Sequence, residues 1–203
     1  MNSSSHTNII YGTIIEGFNI NNFILETYKD KLILAINDFF EQPLTSAISE
    51  INSTILNGNY VYIAGNGGSA AMSEHFATDW SKGVYEISKS PCRVKSLTSN
   101  GSLLTAIAND LGYENSYLQQ LKMFASPGDL LVLISSSGNS KNILSTLKYA
   151  EKEGINYIFL TSSLCNSIQE INGTKIIVSS KDIQIIEDVH NLFGHLVYKS
   201  FSN

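Results

Sequence analysis

The chain has 203 residues, 43% of them hydrophobic, and a formal net charge of −5. That length and apolar share suit one domain with a full core, and the acidic balance argues against general binding to nucleic acid or to acidic membranes. The two cysteines, Cys92 and Cys165, fit no CxxC pattern and read as buried reduced thiols. The opening residues, MNSSSHTN, are polar and read as frayed, with no basic region followed by an apolar one. No secretory signal and no membrane span is therefore expected. Residues 20–41 carry the spacing of an amphipathic helix, and 44–56 that of a second, closed by the turn Asn57-Gly58-Asn59.

An alternating pattern begins after residue 58. Strands are predicted at 60–64, 92–97, 130–135, 155–161 and 174–178. Helices are predicted between them, at 69–80, 101–109, 114–124, 139–153, 163–170 and 183–201. Such alternation implies an α/β fold with a parallel sheet covered on both faces. The expected organisation is a single domain over 1–203, with 1–58 a helical extension and 59–203 the core.

Two strand–turn–helix units carry the chemistry. In the first, strand 60–64 runs into Gly65-Asn66-Gly67-Gly68-Ser69. Its glycines permit positive φ and close approach of a ligand to the backbone. It is neither the dinucleotide fingerprint nor a Walker A loop, since the G-x-G-x-x-G spacing and a following G-K-[ST] are both absent. In the second, LLVLI runs into Ser135-Ser136-Ser137-Gly138-Asn139-Ser140 and then into a helix. Hydroxyls and free N–H groups at a helix N-terminus suit an anion. Four hydroxyls exceed what capping needs, although an N-cap is the plain alternative. In an open parallel sheet such turns gather at the carboxyl ends of the strands, where ligands bind.

Three further groups remain open at this level. His75 and Asp79 share a helix face and suit either a shared metal or a surface hydrogen bond. Asn109 and Asp110 precede a glycine and suit either an Asx turn or sugar hydroxyls. The last helix carries Glu187, Asp188, His190 and His195. Glu187 and His195 are eight residues apart, roughly 12 Å along a straight helix. If both bind one ion, either the helix starts irregularly or one ligand comes from a neighbouring subunit.

GNGGSAAMSEHFATDW, TAIANDLGY, ISSSGNSKNIL and IEDVHNLFGHL, in that order and at those separations, resemble the bacterial phosphoheptose isomerases of the sugar-isomerase (SIS) superfamily. The resemblance runs from about residue 44 to the C-terminus. It implies an SIS-type parallel sheet flanked by helices, a flavodoxin-like three-layer sandwich with an N-terminal helical pair. It implies conversion of D-sedoheptulose 7-phosphate to D-glycero-D-manno-heptose 7-phosphate, the first step toward nucleotide-activated heptose for lipopolysaccharide and related glycans. It implies a cytoplasmic homotetramer with interfacial sites and one zinc per subunit. The family's substrate positions fall on Asn66, Gly67, Gly68, Ser69, Asp79, Asn109, Asp110, Ser135, Ser136, Ser137, Ser140 and Glu187. Its zinc positions fall on His75, Asp79, Glu187 and His195, and its catalytic pair on Asp79 and His195.

Three departures from the family pattern bear on activity. Asp79 replaces a usual glutamate, Glu187 a common glutamine, and Gly83 an arginine, with Lys82 beside it. The resemblance also extends to non-catalytic SIS proteins, a replication-initiator-binding scaffold and phosphosugar-sensing regulators. A retained carboxylate and the final histidine favour the enzyme.

Overall fold

The computed structural model describes residues 22–201. The expected fraying of the first residues lies outside them. Helices α1 (Asn22–Phe40) and α2 (Leu44–Leu56) form the leading pair. The core follows as β1 (Val61–Gly65), α3 (Gly68–Ser88), β2 (Val94–Ser96), α4 (Gly101–Leu111), α5 (Ser116–Phe124), β3 (Leu130–Ile134), α6 (Lys141–Glu153), β4 (Asn156–Ser162), β5 (Thr174–Val178) and α7 (Ile183–Ser200).

The five strands are all parallel, in the order β2-β1-β3-β4-β5. Strands β1 and β3 are buried along their whole length, which is why VYIAG and LLVLI read as runs rather than alternations. One face carries Ile63, Val132, Ile158 and Ile176 and packs against Phe76, Trp80, Val189 and Phe193. The other carries Tyr62, Leu131, Leu133 and Phe159 and packs against Tyr117, Leu121, Ile143 and Leu147. The result is a three-layer sandwich, with α1, α2, α3 and α7 on the first face and α4, α5 and α6 on the second. Helix α2 follows Pro43 and buries Leu44, Ala47, Ile51 and Ile55, the stripe that its sequence predicts. The Gln42 side chain just before it accepts a hydrogen bond from Ile177 N at 3.3 Å, which blunts the β5 edge.

The element boundaries differ from expectation in three places. Helix α3 runs to Ser88, past the predicted end at 80, and the Tyr198 ring packs on this added length where a side chain at Gly83 would go. Strand β2 is shorter than predicted. The helix expected at 163–170 is absent, and turns and a 3-10 turn at Ile168–Glu170 stand there. Serine hydroxyls bond backbone here instead: Ser163 Oγ donates to Ser180 O at 3.1 Å, and Leu164 N donates to Ser162 Oγ at 3.1 Å. Among the described residues no helix is long and apolar enough to cross a membrane.

The strand order places the site. From β1 the chain crosses to β2 on one side and later returns to β3 on the other. The carboxyl ends of β1 and β3 therefore flank the switch point, where open α/β sheets bind ligands.

Candidate active site

The two predicted turns meet at that point. A cavity of about 200 Å³ is lined by Asn66 and Ser69 of the glycine-rich turn, Ser135, Ser136, Ser137 and Ser140 of the serine turn, and Glu187. In the glycine-rich turn a Cβ on Gly65 would stand 2.5 Å from Ser69 O, and Gly67 has φ +55°. The side chain of Asn66 is held by its neighbours. It accepts from Tyr113 Oη at 2.8 Å and from Asn142 Nδ2 at 2.9 Å. The buried Tyr117 hydroxyl donates to Gly65 O, and burial raises its pKa.

The serine turn holds its own shape. Gly138 N donates to Ser135 Oγ at 3.1 Å, and Ser162 Oγ donates to Ser136 O at 2.6 Å. Asn139 turns away from the cavity, its Nδ2 donating to Leu164 O at 3.0 Å. Ser136 Oγ is buried and has no hydrogen-bond partner. Ser136 is nevertheless one of the residues that line the cavity.

A second group forms where α3 crosses α7. His75, Asp79 and His195 each offer a ligand atom, all within 4.8 Å of one another. His75 Nε2 is 3.3 Å from His195 Nε2 and 3.6 Å from Asp79 Oδ2. Two imidazole nitrogens this close cannot turn lone pairs on each other, so a proton or a cation must lie between them. Two imidazoles and one carboxylate suit zinc, with an open position for a further ligand. Both histidines are exposed.

Each ligand has a packing residue beside it. Phe76 and Trp80 stack at 5.3 Å, and Trp80 Nε1 donates to Gly194 O at 2.9 Å in the buried seam. Gly194 admits the Phe76 ring, whose Cε1 would lie 2.0 Å from a Cβ there. Sequence reasoning missed Trp80, Gly194, Asn142, Tyr113 and Tyr117. A glycine in the middle of a helical pattern was the available signal for Gly194.

The structure divides the expected site in two. Glu187 does not join His75, Asp79 and His195 within the chain. Helix α7 is unbroken from Ile183, so an irregular start does not bring Glu187 to them. Its carboxylate lies against the glycine-rich turn instead, Oε1 3.0 Å from the Cβ position of Gly68. Asn109 and Asp110 end α4 in the open, with Asn109 Nδ2 bonded to Asp110 Oδ1 at 2.8 Å, and neither lines the cavity.

A family model described as SIS domain matches residues 27–162. Fold and site thus define an SIS-domain protein. Its relatives narrow this. A phosphoheptose isomerase of Aliarcobacter butzleri is 36% identical over 171 residues, which cover 84% of this chain and 90% of that protein. One of Campylobacter concisus is 38% identical over 154 residues, 76% of this chain and 81% of the other. The solved phosphoheptose isomerase GmhA from Neisseria gonorrhoeae superposes with a TM-score of 0.79 at 26% identity, covering 88% of this chain and 96% of that one. The chain belongs to the phosphoheptose isomerase family, a family of phosphosugar isomerases, within the SIS-domain proteins.

Proposed function

We propose that the chain converts D-sedoheptulose 7-phosphate to D-glycero-D-manno-heptose 7-phosphate in the cytoplasm, the entry to nucleotide-activated heptose for lipopolysaccharide or related glycans. The observation that carries the reading is the cavity between the two turns, lined by four serines, one of which, Ser136, has a buried hydroxyl without a partner. A phosphate there takes hydroxyl donors from Ser135, Ser136, Ser137 and Ser140, and the glycine-rich turn of Asn66, Gly67 and Gly68 comes up against the sugar. Ser69 and Glu187 line the same cavity and face the sugar hydroxyls.

The isomerisation moves one proton from C1 to C2, and one between the two oxygens, through an enediol. Remote binding of the phosphate positions the reacting carbons. Asp79 takes the carbon proton and returns it, and His195 serves the oxygens. Zinc on His75, Asp79 and His195 would polarise the carbonyl or hold the site's shape. A histidine nitrogen bound to metal cannot also move a proton, so His195 does one or the other through Nε2.

Exposure of the His75, Asp79 and His195 group on one chain supports a homotetramer with interfacial sites. In that assembly Glu187 of the partner subunit completes the metal site, and Asn109 and Asp110 reach sugar hydroxyls across the interface. A coupled assay with sedoheptulose 7-phosphate, with and without zinc, tests the reading. Turnover lost on chelation and restored by zinc is the expected result. A folded oligomer that binds the sugar phosphate without turning it over would replace this reading with a phosphosugar-sensing one.

A further inference from the structure

We propose that His190 is a positioning residue for the substrate's phosphate, fixing the end of β4 on which the serine turn rests. The inference rests on the reading of Ser135–Ser140 as the phosphate turn. His190 sits on α7 between Glu187 and His195, yet it lines neither the cavity nor the metal group. It is fully buried, and its Nε2 lies 3.1 Å from Thr161 O. A carbonyl oxygen only accepts, so Nε2 carries the proton. Nδ1 has no partner. Burial pulls the imidazole pKa down to about 4, so the ring is neutral near pH 7 and carries no proton to the reaction.

A buried ring nitrogen without a partner is unfavourable, and an aliphatic side chain would fill the same space without one. What the imidazole adds is one N–H, aimed at the main chain of Thr161. That residue begins the platform under the serine turn. Thr161 Oγ1 lies 2.6 Å from where a Cβ on Gly138 would stand, beside Cys165 Sγ at the same 2.6 Å. The next residue, Ser162, donates to Ser136 O at 2.6 Å. Asn139 is tied to the same segment twice, to Leu164 O at 3.0 Å and to Asn166 N at 3.1 Å. The serine turn thus rests on residues 161–166, and His190 pins the first of them from the opposite layer of the sandwich. Hydrogen-bond donors serve an anion only when held within about 0.5 Å of the productive position.

The test compares His190→Leu and His190→Gln in the full-length protein. The readouts are steady-state kinetics with sedoheptulose 7-phosphate, calorimetric titration with inorganic phosphate, and zinc content. Losing the N–H should raise KM and the phosphate Kd by about tenfold in His190→Leu. In that variant kcat and zinc content should stay near wild type. Glutamine keeps an N–H donor and should recover most of the loss. A folded His190→Leu protein with wild-type KM and phosphate affinity overturns the inference, as does a fall in kcat and zinc with KM unchanged. If leucine prevents folding, the pair His190→Gln and His190→Met decides, because the two are nearly isosteric and differ in the donor. Tighter phosphate binding by the glutamine protein supports the inference, and equal binding overturns it. Wild-type protein that binds no phosphate would instead overturn the phosphate-turn reading, and this inference with it.

Discussion

Gly194→Ala tests the seam that brings His75, Asp79 and His195 together. Helix propensity alone predicts a gain of about 1 kcal/mol for alanine over glycine in a helix interior. The structure predicts the opposite sign. A Cβ at 194 would stand 2.0 Å from Phe76 Cε1 and 2.3 Å from Cδ1. Ordinary contact is about 3.5 Å, a shortfall of about 1.5 Å. The Phe76 ring cannot swing clear, because it is 1% exposed and stacked on Trp80. Helices α3 and α7 must therefore part, at about 1–3 kcal/mol for overpacking. Parting them stretches the Trp80–Gly194 hydrogen bond, and an unpaired buried indole N–H adds about 1–3 kcal/mol. After the propensity gain, the variant should be less stable by about 1–5 kcal/mol. Urea unfolding at one protein concentration measures it, followed by the emission of the single tryptophan, which is itself the hydrogen-bond donor. Zinc affinity is the second readout. His195 follows Gly194 directly, so zinc binding should weaken tenfold or more. A Gly194→Ala protein as stable as wild type, with unchanged zinc affinity, would refute the reasoning.

Other expectations follow from the same geometry. Ser136→Ala removes the unpartnered hydroxyl and should raise KM for the phosphosugar about tenfold with little change in stability, as kinetics and a melting curve will show. Asp79→Ala should lower kcat by about 10²–10⁴, the range of a lost general base; unchanged turnover under saturating zinc would remove Asp79 from that role. Stability should fall as pH drops from about 6.5 toward 4, because the unfolded chain protonates His190 while the buried ring stays neutral. The Glu50 carboxyl, raised by burial, works in the opposite direction. Comparison with His190→Gln across that window isolates the histidine, and an equal loss in both proteins would refute the assignment.

The sandwich was legible because its signals are local and repeated. LLVLI and VYIAG are too short for buried helices and too continuously apolar for half-exposed strands. The hydroxyl and glycine turns that follow them mark the ends of parallel strands. Where the reading failed, the competing force was local side-chain chemistry or a distant partner. SSLCNSIQE has enough apolar residues to suggest a helix, but its serine hydroxyls bond the main chain, and its backbone holds the Asn139 side chain of the serine turn. Helix α3 is expected to end at residue 80, because a sequence does not show that the Tyr198 ring packs against the next turn, where a side chain at Gly83 would be.

The site was legible residue by residue but not as an arrangement. Spacing placed His75 and Asp79 on one face, since i and i+4 share a turn. It could not say whether His195 joined them, because that depends on how closely two helices cross. The crossing is set by Gly194, Phe76 and Trp80, three residues that carry no chemistry. Helix geometry did set one limit before any coordinates: eight residues of regular helix separate Glu187 from His195. The unbroken α7 meets that limit by placing Glu187 in the cavity between the two turns and His195 beside His75 and Asp79. One helix thus serves two separate clusters. The buried His190 between them ties α7 to the strand end beneath the serine turn, and Trp80 ties it to α3. A shift of α7 along its axis would disturb both clusters together. That is why residues touching neither ligand are expected to change phosphate affinity at one end of the helix and metal affinity at the other.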